Sequence, residues 1–468
     1  MIISFIIAGT IYLSILIFLA RRSRLKEKTT SNYLLAGGNL GMLLGLFTTA
    51  ATIFSAFTVI GMPDFFRTHG VGAWIFLGVA DAMMVYVLIR VGIIIRQKAR
   101  ASDYKGMAGL LSNAYGFKFA GFVAFAGVVT FLIPYISVQI RGVSIFLNAA
   151  FPNALPVWGW GTLIVTIMII YSEVGGLRAI MYNDTLQGII LFVVIWVIGL
   201  NCLSEFGSVA GMFEKVESVN AALLSVPGPK GLFTTQFYII SALSIVILPF
   251  TQPQISTRVI IMKSSSALRR MAIGLGIFAT LVILPTMFMG MYGAVLYPDS
   301  SVQDFIGHVL LYDQAPAIAA LGLIGLIAAA ISTSDSQIFA LGTELRSLLT
   351  TDDKKALTIT RIFILVIGVI ALIFSILSSE HLVLLARTSF AGTAMLGPLI
   401  LVGILSKKRP GLLIPISTLL ALLVFVISNA GVIPERFGPV EMEIILFTFL
   451  LVVTGIELLR LRSQKEVT

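Results

Sequence analysis

Residues 328–339 read AAAISTSDSQIF, with Ser332, Thr333, Ser334, Asp335 and Ser336 forming an unbroken polar run. Apolar sequence flanks it from Ile318 to Ile327 and again from Ile338. On a helix Ala329, Ser332, Thr333 and Ser336 share one face at i, i+3, i+4 and i+7, with Asp335 at its margin. That face offers hard oxygen donors within two turns, the ligand type that suits an alkali cation. Serine and threonine also join membrane helices to one another, at about 0.6 kcal/mol per contact. Hydroxyls alone leave both readings open. A lone carboxylate in hydrocarbon costs at least about 2.5–3.5 kcal/mol, so Asp335 must face a partner or a wet cavity, which favours the cation.

Other charges stand in apolar surroundings. Asp184, in YSEVGGLRAIMYNDTLQGII, follows what reads as a short Gly-containing cytoplasmic loop. It is either a plain helix N-cap or a ligand. Asp81 (FLGVADAMMVY) and Arg141 (PYISVQIRGVSIF) lie within apolar stretches. A buried arginine can take a carboxylate through two parallel hydrogen bonds. Asp81 would then meet an ammonium or hydroxyl, so a small carboxylate or zwitterion is the expected solute. Alternatively Asp81 and Arg141 pair with each other. Arg387 and Arg90, near span ends, read as snorkelling side chains.

The elements that must position these residues follow from composition. Hydrophobic residues make up 58% of 468 and charged residues 12%, and the mean hydropathy is +1.01. Those values belong to an all-α integral membrane protein. The single cysteine, Cys202, excludes a disulfide framework, and three separate histidines offer no zinc cluster. No transition metal is expected. Cutting at polar and Gly/Pro punctuation gives about thirteen spans, near 2–20, 40–62, 72–95, 120–149, 156–172, 184–204, 235–257, 271–297, 315–345, 358–378, 382–405, 411–429 and 440–459. The first has its positive charges after the apolar run and reads as a retained span. With residues 21–28 placed in the cytoplasm, the opposite loops hold only Arg67, Lys215, Lys230 and Arg436 of the 32 Lys and Arg. This predicts an outside N-terminus and a cytoplasmic C-terminus in a cell membrane. The net charge of +10 then reports topology, with no nucleic-acid partner.

Two spans are poorly suited to continuous helices. GLFTTAATIFSAFTVIGMP carries Thr48, Thr49, Thr52, Ser55 and Thr58 across its middle, and SIVILPFTQPQISTR carries Pro249 and Pro253. Proline removes a backbone donor, and hydroxyls can satisfy the groups that a break leaves free. The two are five spans apart and run in opposite directions. Paired interruptions of this kind point to inverted halves around a midplane transport site. The expected division is an extra helix and loop at 1–39, one five-helix repeat at 40–205, its inverted partner at 234–405, and two further helices with a short tail at 406–468.

The combination of GGLRAIMYNDTLQG, PQISTR and AAAISTSDSQ resembles the sodium:solute symporter family, over nearly the whole chain from YLLAGGNLG at 33–41. The resemblance implies a LeuT-type 5+5 inverted repeat with two discontinuous helices. It implies a sodium site built from the carbonyls of Ala51, Phe54 and Ala329 and the hydroxyls of Ser332 and Thr333. Some members bind a second sodium, for which Asp184, Ser332, Asp335 and Ser336 match. An aspartate at 335 would strengthen cation binding or introduce a titrating group. The solute is expected against the first break, near Ser55, Phe57, Thr58, Asp81, Arg141 and Gln252, with Phe54, Tyr135, Phe250 and Trp74 as further candidate walls. The expected activity is sodium-driven import by a monomer in the lipid bilayer. The alternatives are a neutral solute such as a sugar, or a transporter-like receptor. The receptor is disfavoured because no output domain follows the last span. An intramembrane protease lacks its motifs, and a channel does not need paired breaks.

Overall fold

A helix satisfies its own backbone groups, which is what an apolar segment in lipid requires. The computed structural model of the chain describes residues 2–22, 36–102, 105–378 and 381–463. Arg24, Lys26, Lys28 and the start of YLLAGGNLG lie outside the described residues. Among the described residues, eight helices are long and apolar enough to cross a bilayer, or ten if each of two bent pairs is one span. Three shorter apolar helices, Ile3–Leu19, Val157–Ile169 and Leu413–Asn429, coincide with the remaining expected spans. Length and composition therefore stop short of the expected thirteen. Strand structure in the described residues is confined to an antiparallel pairing of Arg436–Phe437 with Val440–Glu441.

Both expected breaks are present. Met42–Ile53 and Phe57–His69 meet at a bend of 58°, and Thr235–Thr251 and Pro253–Ile261 at 54°. Phe54 and Gln252 are the extended residues at the two bends, with φ/ψ of −88/121° and −109/115°. Pro253 accounts for the second, because a proline pushes the residue before it out of the helical region. No proline lies at the first. There Ser55 and Thr58 offer the backbone competing local hydrogen bonds.

The hydroxyl-rich helix Pro316–Leu348 occupies the centre. In its most apolar stretch 78% of residues are buried, against 33% for the peripheral helices Lys354–Leu377 and Met442–Ser463. It packs on Lys118–Ala150 and on the helical element Val157–Ser204, which carries Asp184. The expected loop at 173–183 is helical backbone, so Asp184 sits inside a helix and does not cap one. Glu173, Leu177, Arg178, Ala179 and Met181 are good helix formers, and the pair Gly175 and Gly176 misled the boundary. The N-terminal helix Ile2–Arg22 adds a small apolar cluster, Tyr12 and Leu16 against Ile324 and Ala328. Its opposite face exposes Ile3, Ile7, Ile11 and Phe18, as lipid contact requires.

Close approach holds the first broken pair in place. A Cβ added at Gly290, on Ser265–Leu296, would lie 2.5 Å from the Phe66 Cβ and 2.6 Å from the Pro63 carbonyl oxygen. Backbone cannot yield to that atom cheaply. Gly290→Ala is therefore expected to destabilise the protein by about 1–3 kcal/mol. Gly9→Ala, with open space around it, should be neutral or slightly stabilising. Thermal unfolding in detergent compares them, and equal melting temperatures would rule out the tight packing.

Candidate cation and solute site

Breaking a helix strands donors on one half and acceptors on the other. At the first break three amides are met by side chains. The Ser55 N–H donates to Thr58 Oγ1 at 3.0 Å, the Ala56 N–H to Gln139 Oε1 at 3.0 Å, and the Phe57 N–H to Ser55 Oγ at 3.2 Å. On the acceptor side the Tyr135 hydroxyl donates to the Ile53 carbonyl at 3.2 Å. The Ala51 carbonyl takes two hydroxyls from the central helix, Ser332 at 2.9 Å and Thr333 at 3.0 Å. Ser332 also donates to the Ala329 carbonyl at 3.0 Å.

Four of the five expected sodium ligands, Ala51, Ala329, Ser332 and Thr333, thus share one hydrogen-bonded cluster, and all four are buried. Phe54 follows at the extended turn of the same break. Each hydroxyl has lone pairs to offer a cation once its proton rotates away. The donor set is all oxygen, which suits a hard monovalent ion.

Of the expected second set, Asp184 and Ser336 are brought together by a cation that the span boundaries missed, whereas Ser332 bonds within the first cluster. Arg258, counted as a loop residue, is buried on Pro253–Ile261. Its Nη2 lies 2.7 Å from Asp184 Oδ2 and donates to Ser336 Oγ at 2.7 Å. Its Nε donates to Thr48 Oγ1 at 2.9 Å, and Thr48 donates in turn to Asp184 Oδ2 at 2.6 Å. Nη1 donates to the Gln254 carbonyl at 2.6 Å. The signal was available in PQISTR, where Gln254 and Arg258 are one helical turn apart beyond Pro253. Asp184 Oδ1 and both carboxylate oxygens of Asp335 are buried without a hydrogen-bond partner among the described residues. Two carboxyl groups here share one guanidinium.

Beside the first break lies a small cavity of about 30 Å³, bounded by Phe57, Asp81, Tyr135, Gln252 and Phe390 among others. Three of the six expected solute residues, Phe57, Asp81 and Gln252, line it. Ser55 and Thr58 do not; their hydroxyls cap the broken backbone. Arg141 does not reach the wall either, and Asp81 forms no ion pair with it. Among the further aromatic candidates Phe54 and Tyr135 line the cavity, whereas Phe250 and Trp74 do not. Gln252 and Gln254 bond each other at 2.6 Å. Arg387 was read as snorkelling and instead makes a two-pronged pair with Glu443 at 3.0 and 2.6 Å over the Phe237 ring.

The chain matches the family model described as "Sodium:solute symporter family" over residues 33–410. It is 24% identical over 407 residues to the high-affinity proline transporter PutP of Bacillus subtilis, covering 81% of this chain and 83% of that protein. It is 25% identical over 309 residues to a sodium/pantothenate symporter of Haemophilus influenzae, covering 64% of this chain and 61% of that one. Its fold resembles a solved Na+-coupled sialic acid symporter with a TM-score of 0.79 at 15% identity, over 99% of this chain and 98% of the other.

Removing one partner of a buried ion pair typically costs about 3–5 kcal/mol. Arg258→Gln should therefore unfold well below the parent. Arg258→Lys keeps the charge but loses the planar fork and should fall between them. Denaturation in detergent gives the order, and a fully stable Arg258→Gln would show that the pair is not needed.

Proposed function

The chain belongs to the sodium:solute symporter family, and from that premise we propose that it imports a small organic solute by sodium-coupled alternating access. The family and the relatives are transporters rather than enzymes. The observation that carries the proposal is the convergence of Ser332 and Thr333 on the Ala51 carbonyl of the broken first helix. Sodium bound there is held by Ala51, Phe54, Ala329, Ser332 and Thr333. In this reading the two halves, 40–205 and 234–405, move against each other around the breaks. Asp184, Asp335, Ser332 and Ser336 receive a second cation, which the unpartnered carboxylate oxygens favour. The distribution of basic residues among the loops supports an outside N-terminus and a cytoplasmic C-terminus in a cell membrane.

For the solute, the expectation of a carboxylate or zwitterion rested on two charges. Asp81 at the cavity wall supports the half of that reading that involves an ammonium. The names of the relatives cover both chemistries, proline being a zwitterion and pantothenate a carboxylate.

Coupling requires that sodium and solute favour the same conformation. Sodium should accordingly raise the melting temperature of the purified protein relative to potassium. In Ser332→Ala and Thr333→Ala the sodium concentration for half-maximal stabilisation should rise at least about tenfold, equivalent to about 1.4 kcal/mol of lost binding. Size-exclusion profiles should stay unchanged. If both variants respond to sodium as the parent does, the site lies elsewhere.

A further inference from the structure

The solute cavity contains an acid and, among the described residues lining it, no base. Asp81 is its single carboxylate, and no lysine, arginine or histidine contributes to the wall. Asp81 is 6% exposed and has no hydrogen-bond or ion-pair partner among the described residues. Aromatic rings stand around the same space: Tyr135 meets Phe390 edge to face at 4.9 Å, and Phe57 meets Phe390 at 6.2 Å. A carboxylate beside aromatic rings is a recognition element for an organic cation, which pairs with the acid and is attracted to the ring faces.

The other end of a zwitterion finds much less. A carboxylate at a broken helix is ordinarily held by the amides that open the second half-helix. Here those amides are already taken, by Thr58 for Ser55, by Gln139 for Ala56 and by Ser55 for Phe57. At the second break Pro253 has no N–H, and the Ile255 and Ser256 amides donate to the Gln252 carbonyl at 3.1 and 3.0 Å. Among the side chains that line this cavity, the donor left unpaired is Gln252 Nε2. One neutral amide suits a carbonyl, ether or hydroxyl oxygen and does not balance a charge.

We propose that the solute is an organic monocation, an amine without a carboxylate, with its ammonium on Asp81 and a neutral oxygen acceptor toward Gln252. This assignment rests on the reading of the chain as a sodium-coupled symporter and narrows the solute class within it. The cavity of about 30 Å³ holds water-sized species, so the solute enters a more open arrangement of the same walls, as alternating access provides.

Three ligands of one ring size separate the charge types: L-prolinamide, a cation with a neutral acceptor; L-proline, a zwitterion; and cyclopentanecarboxylate, an anion. Thermal stabilisation of the full chain in detergent is measured with each, in sodium and in potassium, alongside pyrrolidine and tetramethylammonium. The cations should stabilise the parent, with prolinamide the strongest, while proline and cyclopentanecarboxylate should not. Asp81→Asn should need at least about tenfold more prolinamide yet keep its response to sodium. The proposal is overturned if proline or the anion stabilises as well as prolinamide, if no cation stabilises the parent, or if Asp81→Asn binds prolinamide unchanged. The parent series decides even if that variant misfolds. A cation response indifferent to sodium would overturn the symport reading and leave the amine site standing. Sodium-dependent stabilisation by the anion alone would do the reverse.

Discussion

A helix interrupted inside a membrane exposes backbone groups that lipid cannot satisfy, and each one left buried and unpaired costs about 1–3 kcal/mol. The rest of the site depends on how this chain meets that constraint. At the first break the partners come from three places. Ser55 and Thr58 turn back on their own backbone, Gln139 and Tyr135 reach across from Lys118–Ala150, and Ser332 and Thr333 arrive from the central helix. The same contacts that make the interruption tolerable gather carbonyl and hydroxyl oxygens at one point. The proposed cation site would then be a consequence of stabilising a break.

The second break is tied to the first through Arg258. Its guanidinium touches Thr48 on the first broken pair, Asp184 on Val157–Ser204 and Ser336 on the central helix, and folds back on Gln254 of its own helix. Arginine suits this place because its planar fork serves several acceptors at once and stays charged when buried. Such pairs add little net stability over an apolar replacement, since desolvation offsets most of the attraction. Geometry is what this one fixes. The two interrupted segments and the hydroxyl-rich helix cannot shift independently while the four groups stay bonded.

Much of this was legible before any coordinates. Helical spacing alone put Ala329, Ser332, Thr333 and Ser336 on one face, because a helix has a fixed period. Proline and clustered hydroxyls marked both interruptions, because each acts locally on the backbone. What stayed hidden depended on tertiary contact. Arg258 was assigned to a loop because an arginine ends an apolar window, yet its partners Asp184 and Ser336 lie 74 and 78 residues away. Arg387 read as snorkelling because Glu443, 56 residues on, was not visible as its neighbour. Asp184 looked like an N-cap because Gly175 and Gly176 suggested a turn. For Ser55 and Thr58 the hydroxyls were recognised, but not that local capping would occupy them.

The spacing along the first broken pair bears on how the two ligands would communicate. Ala51, at the cation cluster, and Phe57, at the cavity, are six residues apart, with the extended Phe54 between them. Tyr135 spans the same short distance, bonding the Ile53 carbonyl while its ring lines the cavity. In the proposed cycle a cation drawing on the Ala51 carbonyl changes what Ser332 and Thr333 bond, and so loads the extended turn. The walls of the neighbouring cavity are attached to that turn. Linkage makes the effect reciprocal: a solute that fixes Phe57 and Tyr135 must favour the cation to the same degree. No long pathway through the protein is required, because a single unwound turn belongs to both proposed sites.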